Sequence, residues 1–186
     1  MQNGNDPALY TNRQLQYNHN RELIFEAGNE YRRIEFLTHR YVGMGVKATS
    51  FYTPYYHQTL YQDKKRNNSS YSYDQNQNGR FFVRCSGCED PDTEGDYYVV
   101  HFSLASEPLP NGKMYLYGDF FNNVLDAKSL MEYQPQTGAY EKVVLLKTGL
   151  YNYQYKFLED GETKPSFKQT EGNYFETENE YTNPLI

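Results

Sequence analysis

An all-β chain built as two β-sandwiches in series is what this sequence predicts, and three observations predict it. Short segments alternate apolar and polar side chains with a period of two. Clusters of Gly, Pro, Asn and Asp separate those segments as turn signals. Hydrophobic residues make up only 38% of 186 positions, yet 21 tyrosines and 11 phenylalanines are present. Each of these aromatics buries on the order of 150–250 Å², and tyrosine suits a sheet face that is half wet. Asn, Gln, Ser and Thr together are abundant while Ala is sparse, which favours strands over helices. Two thin sandwiches fit this better than one thick globule. Several strands within about 90 residues give each an immunoglobulin-like character.

The expected partition is 1–90 for the first sandwich, 91–96 for a linker and 97–186 for the second. The boundary rests on "CEDPDTEGD" (88–96), which is acid-rich, carries a Pro and a Gly, and holds no periodic apolar residue. Before it, candidate strands are "ELIFEA" (22–27), "YRRIEFLT" (31–38), "VKATSFYT" (46–53), "TLYQ" (59–62) and "RFFVRC" (80–85). Ile34 and Phe36 share one face of the second of these. "PYYHQ" opens on a proline and reads as an edge or a turn. The polar stretch 62–79 ends in Asn78-Gly79, a hairpin signal, and reads as a long exposed hairpin. If its other strands lie upstream of Met1, the first sandwich is incomplete here. Both ends look cut, as in a portion of a longer protein.

After the linker the pattern sharpens. In "YYVVHFSL" (97–104), Tyr98, Val100, Phe102 and Leu104 share a face. "KMYLYG" (113–118) and "YEKVVLLK" (140–147) follow, and "LYNYQYKFLEDG" (150–161) sets Tyr151, Tyr153, Tyr155 and Phe157 on one side. Only "LDAKSLMEY" (125–133) has a helical look.

Composition narrows function by exclusion. A net charge of −6 and one basic run, Lys64-Lys65-Arg66, argue against a nucleic-acid partner. No apolar run approaches 18 residues, so no transmembrane segment is expected. The segment "GMGVKA" (43–48) matches a dinucleotide fingerprint by spacing alone, since strand-forming residues follow it where a helix is needed. No nucleophile elbow occurs, and none of the 24 acidic residues stands out as half of a catalytic pair. Glu176, Glu178 and Glu180 alternate within "GNYFETENEY" (172–181) and read as a solvated strand face. The four histidines show no ligand spacing. Cys85 and Cys88 form one C-x-x-C with no second pair to complete a zinc site; a local disulfide or inert pair, an adventitious metal and a redox role all stay open. No catalytic residue, cofactor or metal is expected.

"YLYGDFFNN" (115–123), Met131-Glu132-Tyr133 and "TGAYEKVVLLKTGLYNYQYKFLEDG" (137–161) resemble the early-set immunoglobulin-like modules typified by carbohydrate-binding family 48. That resemblance implies a fold for 97–186. It also implies a glycan-binding reading. In such modules two tryptophans and a lysine hold the sugar, at positions matching Val124, Thr163 and Lys156 here, and only the lysine is kept. Candidate ligand or partner contacts are therefore Phe121, Asn122, Asn123, Tyr133 and Lys156.

Five ordered motifs, "FEAGNEYRRIEF", "YDQNQNGRFFVR", "DYYVVHFSL", "LLKTGLYNYQYKF" and "EGNYFETENEY", resemble the second half of the DUF5103 family of Bacteroidota. Nearly the whole chain is covered. The family includes the plug protein of the type IX secretion system. The resemblance implies a periplasmic, outer-membrane-associated, non-enzymatic protein, monomeric in this portion, that docks on an outer-membrane translocon protein and occludes it. Glycan binding is the alternative reading.

Overall fold

The computed structural model describes residues 26–180 together with the backbone of a preceding hairpin, β1 (Leu9–Thr11) and β2 (Gln14–Gln16). The expected strand at 22–27 falls largely outside that range, and its described end, Glu26 and Ala27, is not in a strand. The remaining elements are β3 (Arg32–Phe36), β4 (Val46–Tyr52), β5 (Tyr55–Leu60), β6 (Asp63–Lys64), β7 (Phe81–Val83), the one-turn helix α1 (Pro91–Glu94), β8 (Tyr97–Ala105), β9 (Gly112–Tyr117), β10 (Glu132–Gln134), β11 (Ala139–Lys147) and β12 (Gly149–Glu159). The chain is all-β in substance, as its alternation predicts.

Two sheets face each other. The six-stranded sheet runs β10-β11-β8-β5-β4, with β6 also pairing β8. The four-stranded sheet is organised on β12. Its first half pairs β3 on one edge and β7 on the other, and its second half pairs β9. Alternation settles which side chains meet. Tyr98, Val100, Phe102 and Leu104 of β8 point at Tyr151, Tyr153, Tyr155 and Phe157 of β12, and all eight are buried in one cluster with Ile34, Phe36, Met114 and Leu116. Phe36 meets Tyr98 across the gap at 5.6 Å, and Phe102 meets Tyr153 edge-on at 5.1 Å. Each such aromatic stabilises the fold by about 1.5–3 kcal/mol through burial alone.

The sheets do not follow the expected partition at 91–96. β3 and β7 pair with β12, and β5 and β6 run parallel to β8. Each sheet therefore holds strands from both sides of the proposed linker, and the described residues share one core instead of two in series. The acidic stretch is pinned to the body. Asp90 caps α1 by accepting from the Asp92 N–H, the Lys147 ammonium donates to the Asp92 carbonyl, and the Thr148 N–H bonds the Asp96 carbonyl.

Three local expectations also change. Residues 125–133 form turns leading into β10, not a helix, because Glu132–Gln134 finds a partner strand in β11. Residues 55–58 belong to the longer strand β5. The 62–79 stretch is no hairpin; past β6 it is a loop laid over the four-stranded sheet. No helix among the described residues is long and apolar enough to cross a membrane.

Candidate functional site

The Gly118–Val124 turn is local geometry. A 3-10 turn spans Asp119–Phe121, and Asn122 and Asn123 follow with φ of 54° and 56°. Asn is the non-glycine residue that best tolerates this left-handed region. The Asn123 side chain also donates to the Asp119 carboxylate at 3.2 Å. Gly118 is obligatory here, since a Cβ would lie 2.7 Å from the Asn152 carbonyl oxygen. Phe121 packs on Phe120 and the core, and Tyr133 packs edge-on against Tyr140. Lys156 lies on the opposite face of β12. The five candidate contacts are thus not brought into one site.

Lys156 is instead enclosed. Its ammonium sits 3.4 Å from the centre of the Tyr117 ring and 5.6 Å from that of Phe167. Burial lowers its pKa to about 8. Tyr31 lies nearby over Gly79, and burial, reinforced by Tyr117 and Asp119, pushes its phenol well above the usual range.

Three loops cover this outer face and the exposed edge of β12 beyond β3, held by two buried carboxylates, Glu30 and Glu171. Where β3 ends, the Tyr155 N–H on the edge of β12 has no strand partner, and the Glu171 carboxylate accepts it at 3.0 Å. Glu171 also accepts two bonds from Arg32 and one from Arg66. Burial alone would raise its pKa, but Arg32 and then Arg66 outweigh this and hold it below the usual carboxylate range. Arg32 reaches on to Asp63, which takes the hydroxyls of Tyr153 and Tyr155 at 2.9 and 2.7 Å. Glu30 is the second anchor. It accepts from Tyr71, Asn76 and the Glu178 N–H, tying residues 71–76 to the C-terminal segment. That segment forms turns, not the expected strand; Glu180 pairs with Arg80, and Glu178 accepts from Tyr73.

The outer face of the six-stranded sheet is different. Tyr52, Tyr55, His57, Tyr97, Val99, His101, Val143 and Leu145 point away from the core on neighbouring strands. Tyr52 is 64% exposed, Val143 53% and Leu145 49%. A shallow depression lies between Thr59, His101, Ser103, Glu141 and Val143. Sequence reading missed this face, although "VVLL" at 143–146 carried the signal: four consecutive apolar residues put apolar groups on both sides of a strand.

Cys85 and Cys88 are disulfide-bonded, with Cα atoms 5.9 Å apart, just after β7.

No family model matches this chain, and no curated protein does. Among solved structures it is similar to a hypothetical protein from Parabacteroides merdae ATCC 43184, with 55% sequence identity and a TM-score of 0.86. The alignment covers 92% of this chain and 43% of that one, so this chain spans less than half of its relative's length.

Proposed function

We propose that this chain is a non-catalytic interaction module, part of a plug-like protein of the type IX secretion system, belonging to the DUF5103 family, that docks on and occludes the periplasmic side of an outer-membrane translocon. The observation that carries the reading is the contrast between faces. One sheet is sealed by loops, while the other presents tyrosines and aliphatic side chains to solvent. Tyr-rich, half-apolar surfaces of this kind suit protein contacts. The disulfide fits an oxidising compartment such as the periplasm. Occlusion needs a rigid body and no chemistry, and the described residues supply an all-β body of two facing sheets.

The glycan-binding alternative draws less support. Lys156 is covered by Tyr117 and Phe167, and Phe121 and Tyr133 face elsewhere.

The test is co-isolation of the full-length protein from detergent-solubilised outer membranes. The expected outcome is recovery of a large β-barrel partner that Val143→Glu with Leu145→Glu abolishes. Equal recovery with the double variant, or no barrel at all, overturns the proposal.

A further inference from the structure

Two of the four histidines, 44 positions apart in sequence, meet on the bare sheet face. His57 on β5 and His101 on β8 lie on adjacent parallel strands, where His57 pairs with Val99 and Thr59 with His101. The Nδ1 atom of His57 and the Nε2 atom of His101 are 2.9 Å apart, and the rings are 5.1 Å centre to centre at 26°. Both rings are partly exposed, so solvent and ions reach them. Tyr52 packs edge-on against His57 at 5.0 Å and limits its swing. Glu141, on the neighbouring strand β11, lines the same depression as His101 and takes a hydrogen bond from Thr137 at 2.7 Å.

We infer that His57 and His101 form a two-imidazole chelate for a borderline divalent transition-metal cation of the Zn²⁺ or Cu²⁺ type. Imidazole is a preferred ligand for these ions. At metal–nitrogen distances of about 2.0–2.1 Å, tetrahedral geometry places the two nitrogens roughly 3.3 Å apart. The present spacing needs to open by only a few tenths of an ångström, within reach of small χ rotations on adjacent strands. The free pair shares a single N–H between two nitrogens. A cation replaces that proton and uses both lone pairs. Water completes the sphere. Mg²⁺ and Ca²⁺, which take oxygen ligands, are excluded by the same donor set.

The experiment uses tag-free protein titrated with ZnCl₂ and CuCl₂ at neutral pH. Calorimetry is expected to show a single saturable site, tighter for Cu²⁺ than for Zn²⁺ in the order expected for nitrogen donors. His57→Gln and His101→Gln each weaken it roughly tenfold or more, since one imidazole forms no chelate. His39→Gln leaves it unchanged, as His39 stacks separately on Tyr56. Pulsed paramagnetic resonance of the Cu²⁺ form is expected to count two coordinated imidazoles, a readout that needs no variant. Absence of saturable binding, one imidazole in the resonance spectrum, or full binding by His57→Gln overturns the inference.

Discussion

The outer faces of the two sheets are built from the same alternating strands and meet solvent in opposite ways. Around β12, loops carry Glu30, Glu171 and Arg66 to meet Arg32 of β3 in a closed set of charge-assisted bonds, with Glu171 wholly buried. Behind β8 and β11, no comparable cover exists among the described residues, and Val143 and Leu145 stand half exposed. Polar side chains with long-range partners mark the sealed face; apolar side chains without cover mark the face left for something else.

The strongest way to break the contrast is Glu171→Ala. It removes the carboxylate that accepts three bonds from Arg32 and Arg66 and one from the Tyr155 N–H, and the expected cost is about 3–5 kcal/mol in urea unfolding. A loss below about 1 kcal/mol would mean the network is ornamental. High pH strikes the buried face next. Burial holds the phenols of Tyr151, Tyr153 and Tyr155 above their ordinary value of 10.0. Above that pH the unfolded chain releases these protons while the fold keeps them, so stability falls as pH rises. Lys156 acts with the opposite sign. Its folded pKa of about 8 lies below the ordinary 10.5, so between those values the unfolded chain holds the extra proton and stability rises with pH. Thermal unfolding from neutral to strongly alkaline pH is expected to show a modest gain and then a steep loss. Lys156→Met should remove the gain and leave the loss.

Glu30→Gln weakens a smaller part of the cover, at about 1–3 kcal/mol. Hydrogen exchange is expected to rise at 71–77 and 174–178 and to stay constant in β8 and β11. On the bare face, Val143→Glu should stay within about 0.5 kcal/mol of wild type. A cost of several kcal/mol there would show that this face is part of the core, and the contrast would collapse.

Much of the core was legible in sequence. The alternation in 97–104 and 151–157 named eight buried side chains, because a half-buried strand writes its period directly into the chain. Pairing was not legible. β3 meets β12 through Phe36 and Gly149, and β5 meets β8 in parallel, and no local pattern encodes a partner that far away. The acidic 88–96 stretch reads as a boundary because it lacks apolar residues, yet it only turns the chain between sheets. Likewise Lys156 sits on β12, while the rings that cover it, Tyr117 of β9 and Phe167, belong to other segments. The histidine pair escaped spacing rules because its register is set by strand pairing.

β12 has one more consequence, for the order in which the molecule can assemble. It is the late-emerging strand that β3, β7 and β9 all need as a partner. A nascent chain that stops before Gly149 has no four-stranded sheet and leaves half of its core aromatics without the opposing layer. Closing loops of such length precedes the reward of pairing, so the four-stranded sheet is slow to form and is committed only once β12 is available.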